Sequence, residues 1–121
     1  MFLINPKSKQ PLYEQLVEQL RRQLTLGILS AGTSMPSVRQ LATELGINPN
    51  TIQKAYRRME DEGMITSVPG RGSFVSDDVA RMLQKQREEQ MEKTRQALIL
   101  CRDMGLTANE LEQLIKTVYK E

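Results

Sequence analysis

Four side chains able to make paired hydrogen bonds or hold anions recur at helical spacing near the middle of the chain: Asn50, Gln53, Lys54 and Arg57. At about 100° per residue they fall within an arc of about 100°. Ile52, Ala55, Tyr56 and Met59 fall on the opposite side. One face of such a helix is suited to burial and the other presents amides and cations. Primary amides pair bidentately with an adenine edge and guanidinium with a guanine edge, while Lys and Arg also hold phosphate oxygens. Any surface helix shows a polar face, however, so the neighbouring elements decide what this face is for.

Those elements are marked by caps and glycines. Asn48 followed by Pro49 is an N-cap with proline at the first helical position, and the helix runs to about Glu62, where Gly63 closes it. Before it, Ser37 with Gln40 has the pattern of a capping box for a short helix whose inner face is Val38, Leu41, Ala42 and Leu45. Gly46 and Ile47 supply the tight turn expected inside a helix-turn-helix. Upstream, Leu12, Leu16, Leu20, Leu24 and Ile28 mark a long amphipathic helix starting near Pro11, with Tyr13 and Val17 beside the stripe and Gly27 fraying its end. Residues Ala31 to Pro36 read as a connector. Downstream of Gly63 the pattern becomes extended: Met64 to Val68 and Ser73 to Val75 flank Pro69-Gly70-Arg71-Gly72, a β-hairpin with a glycine-rich tip. In isolation this is a plain surface turn. Directly after a helix-turn-helix it reads as a wing, whose glycines allow close backbone approach to phosphates and whose Arg71 can enter a narrow minor groove.

Charge agrees with this arrangement. The net charge is +2, but residues 1–76 carry nine Lys/Arg against six Asp/Glu, and within 37–58 four basic residues face only Glu44. A local basic patch on a near-neutral chain suits a module that docks in a groove. The same basic face could instead bind an acidic protein partner, as a winged helix used for protein interaction without sequence-specific DNA binding. Single-strand or RNA binding is disfavoured, because Phe2, Tyr13, Tyr56, Phe74 and Tyr119 form no stacking platform. A purely helical adaptor would have no use for the Pro-Gly-Arg-Gly hairpin.

Composition removes most catalytic chemistry. With no histidine and one cysteine, Ser–His, Cys–His and His- or thiolate-ligated metal sites are excluded. Glu88, Glu89 and Glu92 lie in a polar run that reads as a solvated helix face. Gly70 and Gly72 make no nucleotide fingerprint. The expectation is a protein that is not an enzyme and uses no cofactor and no metal. No run of 18 apolar residues is present, so no membrane span is expected. The N-terminus lacks a secretory layout, and the lone Cys101 fits a reducing compartment, so the expected location is cytoplasmic.

The length, 121 residues, suits one compact domain plus an appendage. Ser76-Asp77-Asp78 offers a cap with acidic residues in the first turn of a further helix reaching about Met104. Gln84 to Gln90 contains no apolar residue and cannot lie in a core. Apolar residues return at Ala97 to Cys101; Gly105 ends the helix, and Thr107 with Glu110 forms a capping box for a last one. That helix carries Leu111, Leu114, Ile115, Val118 and Tyr119 in a single stripe. Two short stripes bury poorly alone. Symmetric dimers are the commonest assembly, so a second copy is the expected cover for Leu98, Cys101, Leu111, Leu114, Ile115, Val118 and Tyr119. Packing back on the first domain within one chain is the alternative; on the dimer reading Cys101 is a small buried hydrophobe rather than a redox sensor.

Several stretches also resemble the GntR family of bacterial transcription regulators. They are Pro11-Leu-Tyr-Glu-Gln15, Met35-Pro-Ser-Val-Arg-Gln-Leu-Ala42, Asn48-Pro-Asn-Thr-Ile-Gln-Lys-Ala-Tyr56, Met59-Glu60, Gly63 and Gly70-Arg-Gly-Ser-Phe-Val75. The resemblance covers about residues 4–76, with Met35 where the family usually has leucine. It implies a winged helix that binds a palindromic operator as a dimer, and a repressor. By position it assigns DNA contact to Ser37 and Arg39, to Asn48, Asn50, Thr51, Gln53 and Arg57, and to Gly70 and Arg71. The short two-helix tail resembles the YtrA subfamily. The expected architecture is therefore mainly α with a small β-hairpin: a winged helix-turn-helix over residues 1–76, then a two-helix dimerisation tail over 77–121. The expected partners are double-stranded operator DNA and a second copy of the chain, with no membrane; the residues leave open both the existence and the identity of a small-molecule effector.

Overall fold

The computed structural model describes all 121 residues. In chain order the elements are α1 (Leu12–Thr25), α2 (Val38–Leu45), α3 (Pro49–Asp61), β1 (Ile65–Val68), β2 (Gly72–Val75), α4 (Val79–Asp103) and α5 (Ala108–Tyr119). The chain is mainly helical with one antiparallel hairpin, and α1 to β2 form a winged helix-turn-helix. Contacts divide it into two units, residues 1–83 and 84–121. The first unit extends past residue 76 because Val79, Met82 and Leu83 at the start of α4 pack against its core.

That core is built from one face of each helix. Leu16, Val17, Leu20 and Leu24 of α1 meet Leu41 and Ala42 of α2, Ile52, Ala55, Tyr56 and Met59 of α3, and Met64, Ile65 and Val75 of the hairpin. Fully burying an aliphatic side chain of this size is worth about 1.5–3 kcal/mol, so α3, clasped by α1, α2 and β1, has its orientation set by its apolar face. Val38 and Leu45 are half-buried against the same cluster, completing the inner face expected for α2. Ile28 departs from the expected stripe. Helix α1 stops at Thr25, the chain turns at Gly27, and Ile28 is 65% exposed.

Two other expectations are corrected by local geometry. Ser37 Oγ accepts from the Gln40 N–H at 3.1 Å, but no return bond from Gln40 forms, so the cap of α2 is half a box. Asp77 and Asp78 lie before α4 rather than in its first turn, and the Asp78 N–H donates to Ser76 Oγ at 3.2 Å. The Thr107–Glu110 box at α5 has both of its bonds.

The connector between α1 and α2 does more than span a gap. Ser34 bridges to Phe74, the Met35 N–H donates to Ser73 O at 2.9 Å, and the Val75 N–H donates to Thr33 O at 2.8 Å. This segment forms an isolated bridge, with flanking backbone bonds, along the outer edge of β2. The hairpin register pairs Ile65 with Val75 and Val68 with Gly72, so Gly72 belongs to the strand and the loop is Pro69 to Arg71. The Arg71 N–H donates to Val68 O at 2.9 Å, and Gly70 has φ 77°, the pattern of a type II turn with proline and glycine at its centre.

The N-terminal segment is held by an arrangement of glutamines. Gln15, Gln19 and Gln23 succeed one another at four-residue intervals on α1, so they share a face. Gln15 Oε1 accepts from the Asn5 N–H at 2.9 Å, and its amide donates to Asn5 O and Gln10 O. Gln19 Oε1 accepts from the Leu3 N–H at 2.8 Å and its amide donates to Leu3 O, while the Gln23 amide donates to Met1 O. Residues 1–5 are thus tied along α1, which places Phe2 in the core at 5% exposure.

Replacing Gln15 with Ala should therefore lower stability by about 1–3 kcal/mol, because three part-buried hydrogen bonds to the backbone of Asn5 and Gln10 are lost. Amide exchange at Asn5 should accelerate with it; unchanged protection there would contradict the role of the ladder. Tyr56 offers a second check. Its hydroxyl donates to Pro36 O at 2.6 Å, and burial, then the negative charge of Glu44, push its phenol well above its usual range. The folded chain keeps this proton at a pH where the unfolded chain loses it, so the stability present below about pH 10 declines as pH rises further. Tyr56→Phe should cost about 0.5–1.5 kcal/mol at neutral pH. Its urea-denaturation midpoint should then fall less steeply in alkali than that of the parent chain.

Candidate nucleic-acid interface

The polar face of α3 is built from its N-terminal cap outward. Gly46, with φ 66°, turns the chain out of α2, and the Ile47 N–H donates back to Ala42 O at 3.1 Å. Asn48 Oδ1 then accepts from the Asn50 N–H at 2.8 Å, with Pro49 at the first helical position. At the other end, Gly63 takes φ 80° and the Met64 N–H donates to Met59 O at 2.9 Å, closing α3 and aiming the chain into β1.

With the apolar face buried, Asn50, Gln53, Lys54 and Arg57 are exposed, and Thr51 is half-buried. Arg39 at the start of α2 and Arg71 at the hairpin tip are exposed as well. Arg39, Arg57 and Arg71 form no ion pair within the chain, so their guanidinium donors face water. Tyr56 lies inward at 5% exposure, as the helical wheel requires of a core residue.

The capping residues have divided capacities. Ser37 and Asn48 each use a side-chain oxygen as acceptor for the helix that follows. The hydroxyl proton of Ser37 and the amide protons of Asn48 remain available, and both side chains are exposed. Such a residue can hold its own helix while donating to an external anion. At the wing, the Arg71 N–H is engaged in the turn, whereas its side chain is free.

Two features were not visible from the pattern of residues. Arg58 counts toward the basic stretch in sequence, yet it pairs with Glu62 at 3.2 Å, and Glu62 also receives Arg21 of α1 at 2.6 Å. The Arg58 charge is thus compensated, leaving Arg39, Lys54 and Arg57 as the cations of this stretch. Lys54, in turn, does not simply extend into solvent: its Nζ sits 4.0 Å from the centre of the Tyr13 ring. Arg58 and Glu62 are one helical turn apart, but the Arg21–Glu62 and Lys54–Tyr13 contacts join residues far apart in the chain, so only the packing of α1 on α3 reveals those two.

The second unit presents the apolar stripe of α5 to solvent in the single chain. Leu114, Ile115 and Val118 are 57%, 52% and 49% exposed, and Tyr119 is exposed at 86%. Leu98 is exposed, while Cys101 and Leu111 are half-buried. No helix is long and apolar enough to cross a membrane.

Known proteins share this arrangement. The sequence profile described as "Bacterial regulatory proteins, gntR family" matches residues 12–75. The HTH-type transcriptional repressor YtrA of Bacillus subtilis is 35% identical over 98% of this chain and 92% of its own. A transcriptional regulator from Oenococcus oeni superposes over 98% of this chain and 99% of its own, with a TM-score of 0.72 and 26% identity. The DNA-binding domain of AraR, solved in complex with operator ORE1, superposes over 63% of this chain and 93% of its own, with a TM-score of 0.52 and 25% identity. Relatives of this kind are regulators and repressors, and the present chain is accordingly a regulator rather than an enzyme. With the matched segment running from α1 to the end of β2 and a full-length relative beside it, the chain belongs to the gntR family of bacterial regulatory proteins.

Proposed function

We propose that the chain is a cytoplasmic repressor that binds a palindromic operator in double-stranded DNA as a homodimer. The observation that carries this reading is the uncompensated face of α3. Asn50, Gln53, Lys54 and Arg57 are exposed on a helix whose other side is locked in the core, with α2 and β1 packed against it. Asn50 and Gln53 would read base edges, and Arg57 a base edge or a phosphate. Ser37, Asn48 and Thr51 would hold the flanking backbone, Arg39 would contact a base edge or a phosphate, and Gly70 and Arg71 would bring the wing to the minor groove. The AraR domain, solved with its operator, supports DNA binding by this fold.

Residues 77–121 would supply the dimer. The stripe of Leu111, Leu114, Ile115, Val118 and Tyr119, with Leu98 and Cys101 on α4, is apolar and largely exposed in one chain, which favours a second copy as its cover. A dimer would set two recognition helices about one turn of DNA apart or a multiple of it, roughly 34–36 Å. A small-molecule effector would act by changing that spacing.

Selecting bound sequences from a random duplex pool tests the reading, and a near-palindrome is the expected product. Retention of DNA without any preferred sequence would favour the protein-interaction alternative. Arg39→Ala and Arg57→Ala should each weaken binding to the selected duplex by about 1–3 kcal/mol where the residue contacts a base edge, as read by fluorescence anisotropy. Unchanged affinity in both variants would remove them from the interface. In the tail, Leu114→Glu should convert the dimer to monomers in sedimentation velocity and weaken operator binding, since two linked half-sites bind far more tightly than one. A chain already monomeric before substitution would contradict the assembly.

A further inference from the structure

Lys54 is the one cation of the α3 face that already has an intramolecular partner. Its Nζ lies 4.0 Å above the centre of the Tyr13 ring, well inside the range at which a cation is attracted to an aromatic face. No carboxylate pairs with Lys54. Tyr13 belongs to α1, is half-buried, and its hydroxyl donates to Glu14 Oε1 at 3.2 Å, a bond that enriches the ring electronically. A free lysine is a flexible four-carbon stem, and fixing it on a phosphate costs side-chain entropy. An ammonium held against a ring has lost part of that freedom before any ligand arrives. Its donors that do not face the ring remain open to solvent, because Lys54 is exposed.

We infer that Tyr13 is a positioning residue for DNA binding: its ring holds the Lys54 ammonium in place as a preformed phosphate anchor at the edge of the recognition face. The inference rests on the DNA-binding reading above and adds α1 to the interface without requiring that Tyr13 touch DNA. It also separates Lys54 from Arg57. Arg57 is unrestrained and free to follow a base edge, whereas Lys54 is held to one side, where a backbone phosphate is the fitting partner.

The test is a double-mutant cycle on the full chain with its selected duplex, measured at several salt concentrations. Lys54→Gln should weaken binding and reduce the slope of log affinity against log salt by about 1. Tyr13→Leu should weaken binding about two- to tenfold, and Tyr13→Phe, which keeps the ring face, should stay near the parent. In the Lys54→Gln background, Tyr13→Leu should have no further effect. Lys54 side-chain proton resonances in the free protein should carry a ring-current shift that Tyr13→Leu removes and Tyr13→Phe retains, which reports the pair independently of DNA. Equal losses from Tyr13→Leu with and without Lys54 would overturn the inference while leaving the DNA-binding reading intact, as would absence of the ring-current shift. Failure of the parent chain to select any duplex sequence would overturn both.

Discussion

Ile52, Ala55 and Met59 have no accessible surface, and Tyr56 beside them retains only 5%. Three different elements close over these four side chains: α1, α2 and β1. Turning α3 by a single residue position would bring some of them into water and drive exposed amides and cations into the core. The loss would be several kcal/mol of transfer free energy, plus the penalty for polar groups without partners. No single contact made by the outer face is large enough to oppose that. The direction in which Asn50, Gln53 and Arg57 point is therefore decided on the far side of the helix. Tyr56 reinforces the same constraint by bonding the Pro36 carbonyl just before α2, so the two helices of the motif keep their spacing.

Bulk charge plays a smaller part than its position in the chain implies. The four basic residues between 37 and 58 are not equivalent once the chain is folded. Arg58 is drawn to Glu62 together with Arg21, forming a cluster that ties the C-terminal turn of α3 to α1. A half-exposed pair of this kind adds little stability, about 0–1 kcal/mol. Its larger effect is to remove one positive charge from the outer face and leave the others separated. A protein of net charge +2 can then still present a concentrated, oriented set of donors.

Much of the arrangement was readable from the residues alone because it is encoded locally. Caps at Ser37, Asn48 and Thr107 and glycines at Gly46, Gly63 and Gly105 mark helix ends through backbone requirements that act within a few residues. The wheel of α3 separated Tyr56 from the exposed face for the same reason. Most of what escaped was set by distant contacts, with Ile28 a local exception. The bridging of Thr33 to Met35 exists only because β2 offers an edge, and nothing in those residues signals it. Ile28 fits the spacing of the α1 stripe perfectly well, yet the glycine before it ends the helix first. Lys54 falls on the polar arc in projection, and its engagement with Tyr13 depends on how α1 crosses α3.

The glutamines along α1 have a consequence for how the start of the chain can change. Each holds the main chain of the N-terminal segment rather than any particular side chain, so Met1, Leu3 and Asn5 are loosely constrained in type, whereas Phe2 and Ile4 between them pack on the core. The length of the segment is another matter. The rungs at Met1, Leu3 and Asn5 take alternate residues of the segment, whereas their partners follow the turns of a helix, and Phe2 falls between two rungs with its ring in the core. Inserting or deleting one residue between two rungs would slip this alternation and carry the phenyl ring out of register with the core. Drift by substitution is tolerated at the rung positions alone; drift by insertion would disturb the whole frame.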